Sequence, residues 1–341
     1  MKVAVVGTGL IGGSIGLAAR ARLGATVIGV DPAPEAALRV GAIDAAGTLE
    51  EALDGAGVAF VAVPVGMLAE TVAATLVLAP PACVVTDVGS VKRALVESVD
   101  DERFVGGHPL AGSEAAGAEH AREDLFDGAT WYLTPSPTTG GLRIQELHRV
   151  LSALGARPAM IDAATHDRVM AAVSHLPHVL ANLLVLGASD ALGGGLAGQA
   201  GIGPSLRDAT RVAGANPTLW AQIYAANRDA LLAEIDAAAA RLGEVRERLA
   251  AGDDLTAWQA EAGRLRQAGD DASTELRMVV PNRPGMVAEI ALVLAREGIN
   301  IGDLSLAPSP DMATGALSIW VGAERAPRAV ELLAELGLSV G

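Results

Sequence analysis

The chain has 341 residues, more than the ~100 to 200 of one typical domain, so two or three domains are expected. Its net charge of -15 argues against a nucleic-acid partner, which needs clustered Lys and Arg to displace counterions, yet it leaves room for a small anionic substrate in a local positive pocket. The single cysteine, Cys83, excludes an intrachain disulfide and lies in an apolar run that reads as inert core. The first residues, Met-Lys-Val-Ala-Val-Val-Gly, read as a strand entering a Gly turn and not as a signal peptide. No uncharged apolar run of ~18 residues is evident, and a cytoplasmic protein without a membrane partner is expected.

Strand-like runs at Val3 to Val6, Thr26 to Val30, Val58 to Val63 and Val84 to Asp87 alternate with Ala-rich helical stretches. That rhythm is the β-α-β pattern of a parallel sheet, and burial of both faces explains the continuous Val and Ala. Phe104 to Gly107, Ala129 to Thr134 and Arg157 to Ile161 extend the sheet, with a helix from Leu142 to Leu154 before the last of them. From His166 the pattern turns purely helical, ending in one long amphipathic stretch from Leu219 to Leu249. Its Leu231, Leu232, Ile235, Leu242, Val245 and Leu249 present more apolar surface than one sheet edge would cover, so a homodimer interface is expected there. After a polar hinge at Asp270 to Ala272, the order β-α-β-β-α-β follows, a ferredoxin-like split unit. The expected architecture is an α/β Rossmann-like doubly wound sheet over residues 1–165, an all-α substrate and dimerisation domain over 166–269, and a small ferredoxin-like α+β domain over 273–341.

Gly7, Gly9 and Gly12 follow the first strand and open a helix with Leu10 and Ile11, and Asp31 ends the second strand. In that context the three glycines serve a tight turn, close approach of a pyrophosphate and helix-strand packing. Asp31 can accept the ribose hydroxyls and would repel a 2′-phosphate, and no Arg or Lys follows it closely, so NAD is favoured over NADP. Val63 and Pro64 are assigned to the cofactor site, and Pro64 and Val65, which end the third strand, are expected to shape its nicotinamide end.

Four further segments carry polar groups suited to chemistry: Asp87 to Lys92 (DVGSVK), Gly106 to Glu114 (GGHPLAGSE), Ser174 to His178 (SHLPH) and Leu206 to Arg211 (LRDATR). His108 is the candidate base, since an imidazole titrates near neutrality and can take a proton from a hydroxyl. The other histidines and arginines also fit helix packing or a solvated face, and no metal-ligating pattern such as H-E-x-x-H occurs, so no metal is expected.

Taken together, GTGLIGGS, DVGSVK, GGHPLAGSE, the His166-Asp167 pair, SHLPH and LRDATR followed by Trp220 resemble the prephenate and arogenate dehydrogenases of tyrosine biosynthesis over residues 1 to about 250. The tail from about residue 273 resembles an ACT domain. The resemblance implies oxidative decarboxylation of a cyclohexadienol, prephenate or arogenate, with NAD as hydride acceptor. It implies that His108 deprotonates the ring hydroxyl, that Ser90 orients His108 or the hydroxyl, and that Arg211 and His178 hold carboxylates. Ser113, Glu114, Arg207, Asp208 and Trp220 are expected to wall the pocket, Asp208 facing either an ion pair or the amino group of arogenate. A tyrosine effector is expected at the C-terminal domain, near Asn282, Gly285 and Asn300, where turn amides before a helix would capture its carboxylate. Competing readings are a β-hydroxyacid or imine reductase, and a sensor that joins the two ligand-binding modules without chemistry.

Overall fold

Runs rich in Val and Ala become strands wherever both faces of a sheet are covered. In the computed structural model, which describes residues 1–111, 115–193, 203–267, 273–309 and 313–340, they are β1 (Lys2–Val6), β2 (Thr26–Val30), β3 (Ala45–Ala46), β4 (Val58–Val61), β5 (Val84–Asp87), β6 (Phe104–Pro109), β7 (Thr130–Thr134), β8 (Arg157–Met160), β9 (Ser273–Pro281), β10 (Ile301–Pro308) and β11 (Thr314–Gly322). Ser113, Glu114 and the hinge at 270–272 lie outside the described residues. The chain divides into two compact units, residues 1–166 with 273–341, and residues 167–272.

In the first unit the strand order begins β3-β2-β1-β4-β5-β6, all parallel, the doubly wound arrangement expected from the sequence. β7 then runs antiparallel to β6, and β8 parallel to β7. Side chains alternate between the two faces: Val3 and Val5 join one apolar cluster, Ala4 the other. The carboxyl ends of β1, β4, β5 and β6 therefore share one edge, where open parallel sheets bind ligands.

Residues 273–341 fold in the expected β-α-β-β-α order, with helices Met286–Arg296 and Ala326–Glu335, and the last strand is reduced to Val340 bridging Met278. β10 adds to β8 through the pair Ile301 and Met160, and the sheet continues β10-β11-β9. Ile290, Leu294 and Ile319 belong to the same apolar cluster as Val5, Phe60 and Trp131. Two glycines make close docking possible: a Cβ on Gly141 would press on Val287, and one on Gly285 would lie 2.3 Å from the Pro137 carbonyl oxygen.

The turn at 281–285 does not present the row of free amides expected of an anion trap. Asn282 N–H donates to Ala313 O, Arg283 N–H to Pro281 O and Gly285 N–H to Thr139 O, each at 3.0 Å. The turn spends its donors on folding because it seats this segment against the loop after β7. Asn300 is exposed just before β10.

In residues 167–272 the described structure is helical. One helix runs from Ala163 to Ala191 with a π-helical turn at Ala171–His175, a feature frequent at functional sites. By length and composition this helix passes for a membrane span, with mean hydropathy 1.7 in its most apolar stretch, against the expectation that no such run occurs. The expected single helix from Leu219 to Leu249 is two, Pro217–Ala226 and Arg228–Ala251, broken at Asn227. The apolar period ran through the break and hid it. Buried Asn227 Nδ2 donates to Asp167 O at 2.7 Å and meets His175 Nδ1 at 3.1 Å, so tertiary hydrogen bonds outweigh helical continuity there. Leu183, Leu186, Leu232, Leu242 and Leu249 are exposed.

Gly285 has φ +81°, so Gly285→Ala combines a left-handed backbone with a steric clash and is expected to lose about 1–3 kcal/mol of stability. Urea unfolding checks this; an unchanged midpoint would show that the seat between this turn and residues 137–139 carries no weight.

Candidate active site

The turn after β1 is built by its glycines. Gly7 has φ +90°, and a Cβ there would stand 2.4 Å from Ala62 O. A Cβ on Gly12 would stand 1.9 Å from Gly7 O, so the helix Leu10–Leu23 can pack on the strand only with hydrogen at that position. Gly9 is different: a Cβ there meets nothing within 4 Å. Gly9 is also the N-cap of that helix, with no capping side chain and no acidic residue in the first turn, whereas Thr48 makes a full capping box on the helix Leu49–Leu53. An uncapped, unobstructed helix N-terminus fits a pyrophosphate. Leu10 and Ile11 form its first turn, partly buried.

Asp31 directly follows β2, half-buried. Its Oδ2 accepts from Thr8 N–H at 2.7 Å and its Oδ1 from Ala33 N–H at 2.9 Å, so the carboxylate braces the glycine turn from the side where a ribose would lie. Val63 and Pro64 follow β4 on the same sheet edge, Val63 half-buried and Pro64 exposed. These residues fit a dinucleotide.

Two strands away, the DVGSVK segment leaves β5. Asp87 and Lys92 are fully buried and form an ion pair. Asp87 Oδ2 also accepts from Gly89 N–H at 2.8 Å, Asp87 Oδ1 accepts from Gly107 N–H at 3.0 Å, and Lys92 Nζ donates to Gly107 O at 2.8 Å. Both backbone groups of Gly107 are thus held by one buried pair, immediately before His108. Ser90 lies in the same loop, half-buried. A Cβ on Gly106 would sit 2.3 Å from Thr134 Oγ1 and one on Gly107 2.6 Å from Asp87 O, which explains the Gly-Gly before the histidine.

His108 pairs in register with Tyr132 of β7. Its Nδ1 lies 2.9 Å from Nε2 of His166, a fully buried residue whose ring also meets Tyr132 edge-on at 5.7 Å between centroids. Burial raises the Tyr132 phenol above its ordinary value. The Cys83 thiol, also buried, is pushed up to about 11, in keeping with inert core.

In the helical unit, Pro177 and His178 lie just after the π-helical turn, and the His178 ring stacks on Trp220 with centroids 3.5 Å apart. His175 meets the same indole edge-on, and Tyr224 packs on it at a tilt, with centroids 5.5 Å apart. A cavity of about 260 Å³ opens beside them, lined among others by His178, Asn182, Trp220 and Tyr224. Burial lowers the His178 pKa, and the nearby Arg211 guanidinium lowers it further. His178 is therefore a neutral hydrogen-bonding group near pH 7, and the cation is Arg211. Arg207 and Asp208 are exposed on and around the short helix Pro204–Ala209, as is Arg211 just beyond it.

Sequence reasoning missed three groups. Asp87 and Lys92 lie inside a motif read only for Ser90, and the signal is a Lys close behind a strand that ends in Asp, since Lys is almost never fully buried unpaired. His166 was noted only as half of a pair with Asp167, and nothing local in the sequence connects it to His108.

Lys92→Met strands a buried carboxylate and should cost about 3–5 kcal/mol, while Asp87→Asn with Lys92→Met, which removes the lone charge and keeps an acceptor, should regain at least half of that loss. Chemical denaturation reads both, and equal stability of the single variant and the parent would refute the clamp. For His178, proton titration by NMR in ligand-free protein should give a midpoint below the ordinary 6.5, rising part of the way back in Arg211→Ala. Between that midpoint and 6.5 the unfolded chain holds more protons than the folded one, so this group makes stability rise with pH across the window and adds no pH dependence below or above it. A midpoint at or above 6.5 would contradict the burial.

Comparison with known proteins fits this geometry. The family model described as prephenate dehydrogenase, nucleotide-binding domain, matches residues 15–160, and that described as prephenate dehydrogenase, dimerization domain, matches residues 162–259. A prephenate dehydrogenase of Bacillus subtilis (strain 168) is 31% identical, with 98% of this chain and 96% of the relative covered. The crystal structure of prephenate dehydrogenase from A. aeolicus in complex with hydroxyphenyl propionate and NAD+ superposes with a TM-score of 0.72 at 28% identity, covering 79% of this chain and 99% of that one. Synechocystis arogenate dehydrogenase gives 0.66 at 31% identity, over 78% and 96%. With two adjoining domain matches and a relative aligned along nearly its whole length, the chain belongs to the prephenate dehydrogenase family.

Proposed function

We propose that this protein is an NAD-dependent prephenate dehydrogenase, which oxidatively decarboxylates prephenate to 4-hydroxyphenylpyruvate in tyrosine biosynthesis. The observation that carries the reading is the placement of His108 at the end of β6, on the same sheet edge as the glycine turn after β1, in a chain of this family. Bound NAD supplies the nicotinamide ring that accepts the hydride. His108 takes the proton of the ring hydroxyl as the carbinol carbon is oxidised, and the ring carboxylate departs as carbon dioxide, which makes the step irreversible. Ser90, in the loop held by Asp87 and Lys92, orients the hydroxyl or His108. Arg211 offers a planar fork to a substrate carboxylate, and neutral His178 on Trp220 adds a hydrogen bond. The resemblance assigns substrate-binding roles to Ser113, Glu114 and Arg207 as well.

Arogenate is the second reading, favoured by the 31% identity to Synechocystis arogenate dehydrogenase. Asp208 would then meet the substrate's amino group. We read residues 167–272 as the homodimer interface, in which the exposed leucines are covered by a second copy, and the β-α-β-β-α segment at 273–341 as an ACT domain that senses tyrosine. Since the amides at 282–285 are engaged, an effector site would use the exposed face near Asn300.

The test is NADH formation at 340 nm with prephenate or arogenate, NAD or NADP, with and without tyrosine. Turnover with prephenate and NAD is expected. His108→Asn should keep NAD binding and lose about 10²–10⁴-fold in kcat, and Arg211→Lys should mainly raise KM. Near-normal kcat in the first variant, or an unchanged KM in the second, would remove that residue from the site, and no turnover with either substrate would promote the sensor reading.

A further inference from the structure

His108 can serve as a base toward a substrate only if the nitrogen it presents carries a lone pair. A neutral imidazole has one N–H and one lone pair, and which nitrogen holds the proton is decided by the partner of the other. In this structure His108 Nδ1 lies 2.9 Å from His166 Nε2, with the rings at 72° and their centroids 5.1 Å apart. At that distance one nitrogen donates and the other accepts. If His166 donated, the proton of His108 would sit on Nε2 and block it as a base. If His108 donates from Nδ1, its Nε2 is the basic nitrogen.

We propose that His166 is a positioning residue, a fully buried acceptor that fixes His108 in its Nδ1–H form and so makes Nε2 the base. The inference rests on the catalytic reading of His108 and adds the group that prepares it. The surroundings suit that task. His166 is fully buried, its ring is met edge-on by Tyr132, and its backbone N–H donates to Asp162 O at 2.8 Å, which anchors its main chain at the start of the helix from Ala163. The partner of a catalytic histidine is often a carboxylate, which orients the ring and stabilises the imidazolium. A neutral, buried His166 does the orienting without a second buried charge, which would carry a desolvation penalty of several kcal/mol. When His108 takes the substrate proton, the Nδ1–H to Nε2 bond becomes charge-assisted and shorter, so the same contact stabilises the protonated base.

The experiment is a two-bond proton-nitrogen correlation on protein labelled with 15N-histidine, ligand-free at neutral pH, with His108→Asn used to assign the His108 signals. The expected result is a protonated Nδ1 and an unprotonated Nε2 at His108. In His166→Leu, His108 should move to the Nε2–H form that prevails in free histidine, and kcat should fall about a hundredfold or more with KM within about threefold. His166→Gln carries a carbonyl oxygen close to the lost Nε2 and should return to within about tenfold of the parent kcat, whereas His166→Asn, one methylene shorter, should not. An Nε2–H form at His108 in the parent protein overturns the proposal, as does an unchanged tautomer in His166→Leu. Should His166→Leu fail to fold, the parent spectrum and the contrast between Gln and Asn decide. An Nδ1–H His108 in a protein that turns over neither cyclohexadienol would sink the catalytic reading while leaving this contact as described.

Discussion

The arrangement at the sheet edge depends on one buried ion pair. Asp87 and Lys92 give up water entirely, a loss that Coulomb attraction alone rarely offsets. What balances it here is a full set of hydrogen bonds, from Gly89 and Gly107 amides to the carboxylate and from the ammonium to the Gly107 carbonyl. The pair thereby ties the end of β5, the loop carrying Ser90 and the strand carrying His108 into one rigid piece. A hydrophobic pair of the same volume could fill that space, but it could not grip a backbone from both its donor and its acceptor side. Placement of the imidazole, more than bulk stability, is what the charges provide.

The nucleotide cradle was legible in the sequence because its causes are local. Gly7 needs a positive φ, Gly12 touches the carbonyl of Gly7, and Asp31 reaches back only to Thr8. Strand and helix limits in residues 1–166 follow from apolar runs and punctuation for the same reason. The C-terminal β-α-β-β-α order was legible too, since Pro281 to Gly285 and Gly298 mark its turns.

What escaped is non-local. Asn227 breaks a helix whose apolar period continues across it, because its amide answers Asp167 and His175 sixty and fifty-two residues away. The π-helical turn that ends at His175 leaves no compositional trace. His166 and His108 meet across fifty-eight residues of chain, and a lone buried histidine looks in sequence like any other core residue. The amides of 282–285 read as an open anion trap because the carbonyls that occupy two of them, Thr139 and Ala313, belong to other segments.

The pairing of Met160 with Ile301 has a consequence for how the protein is made. The sheet of the first unit begins with residue 2 and is completed only by strands after residue 273, with the helical unit inserted between. Chain emerging from the ribosome therefore holds β8 as a bare edge, open to mispairing, until the last fifth of the sequence arrives. Contacts of such long sequence separation form slowly, because the intervening loop must be closed before they return any stabilisation. A helical insert that collapsed before then would shorten the effective span of that loop and lower the cost of closing it.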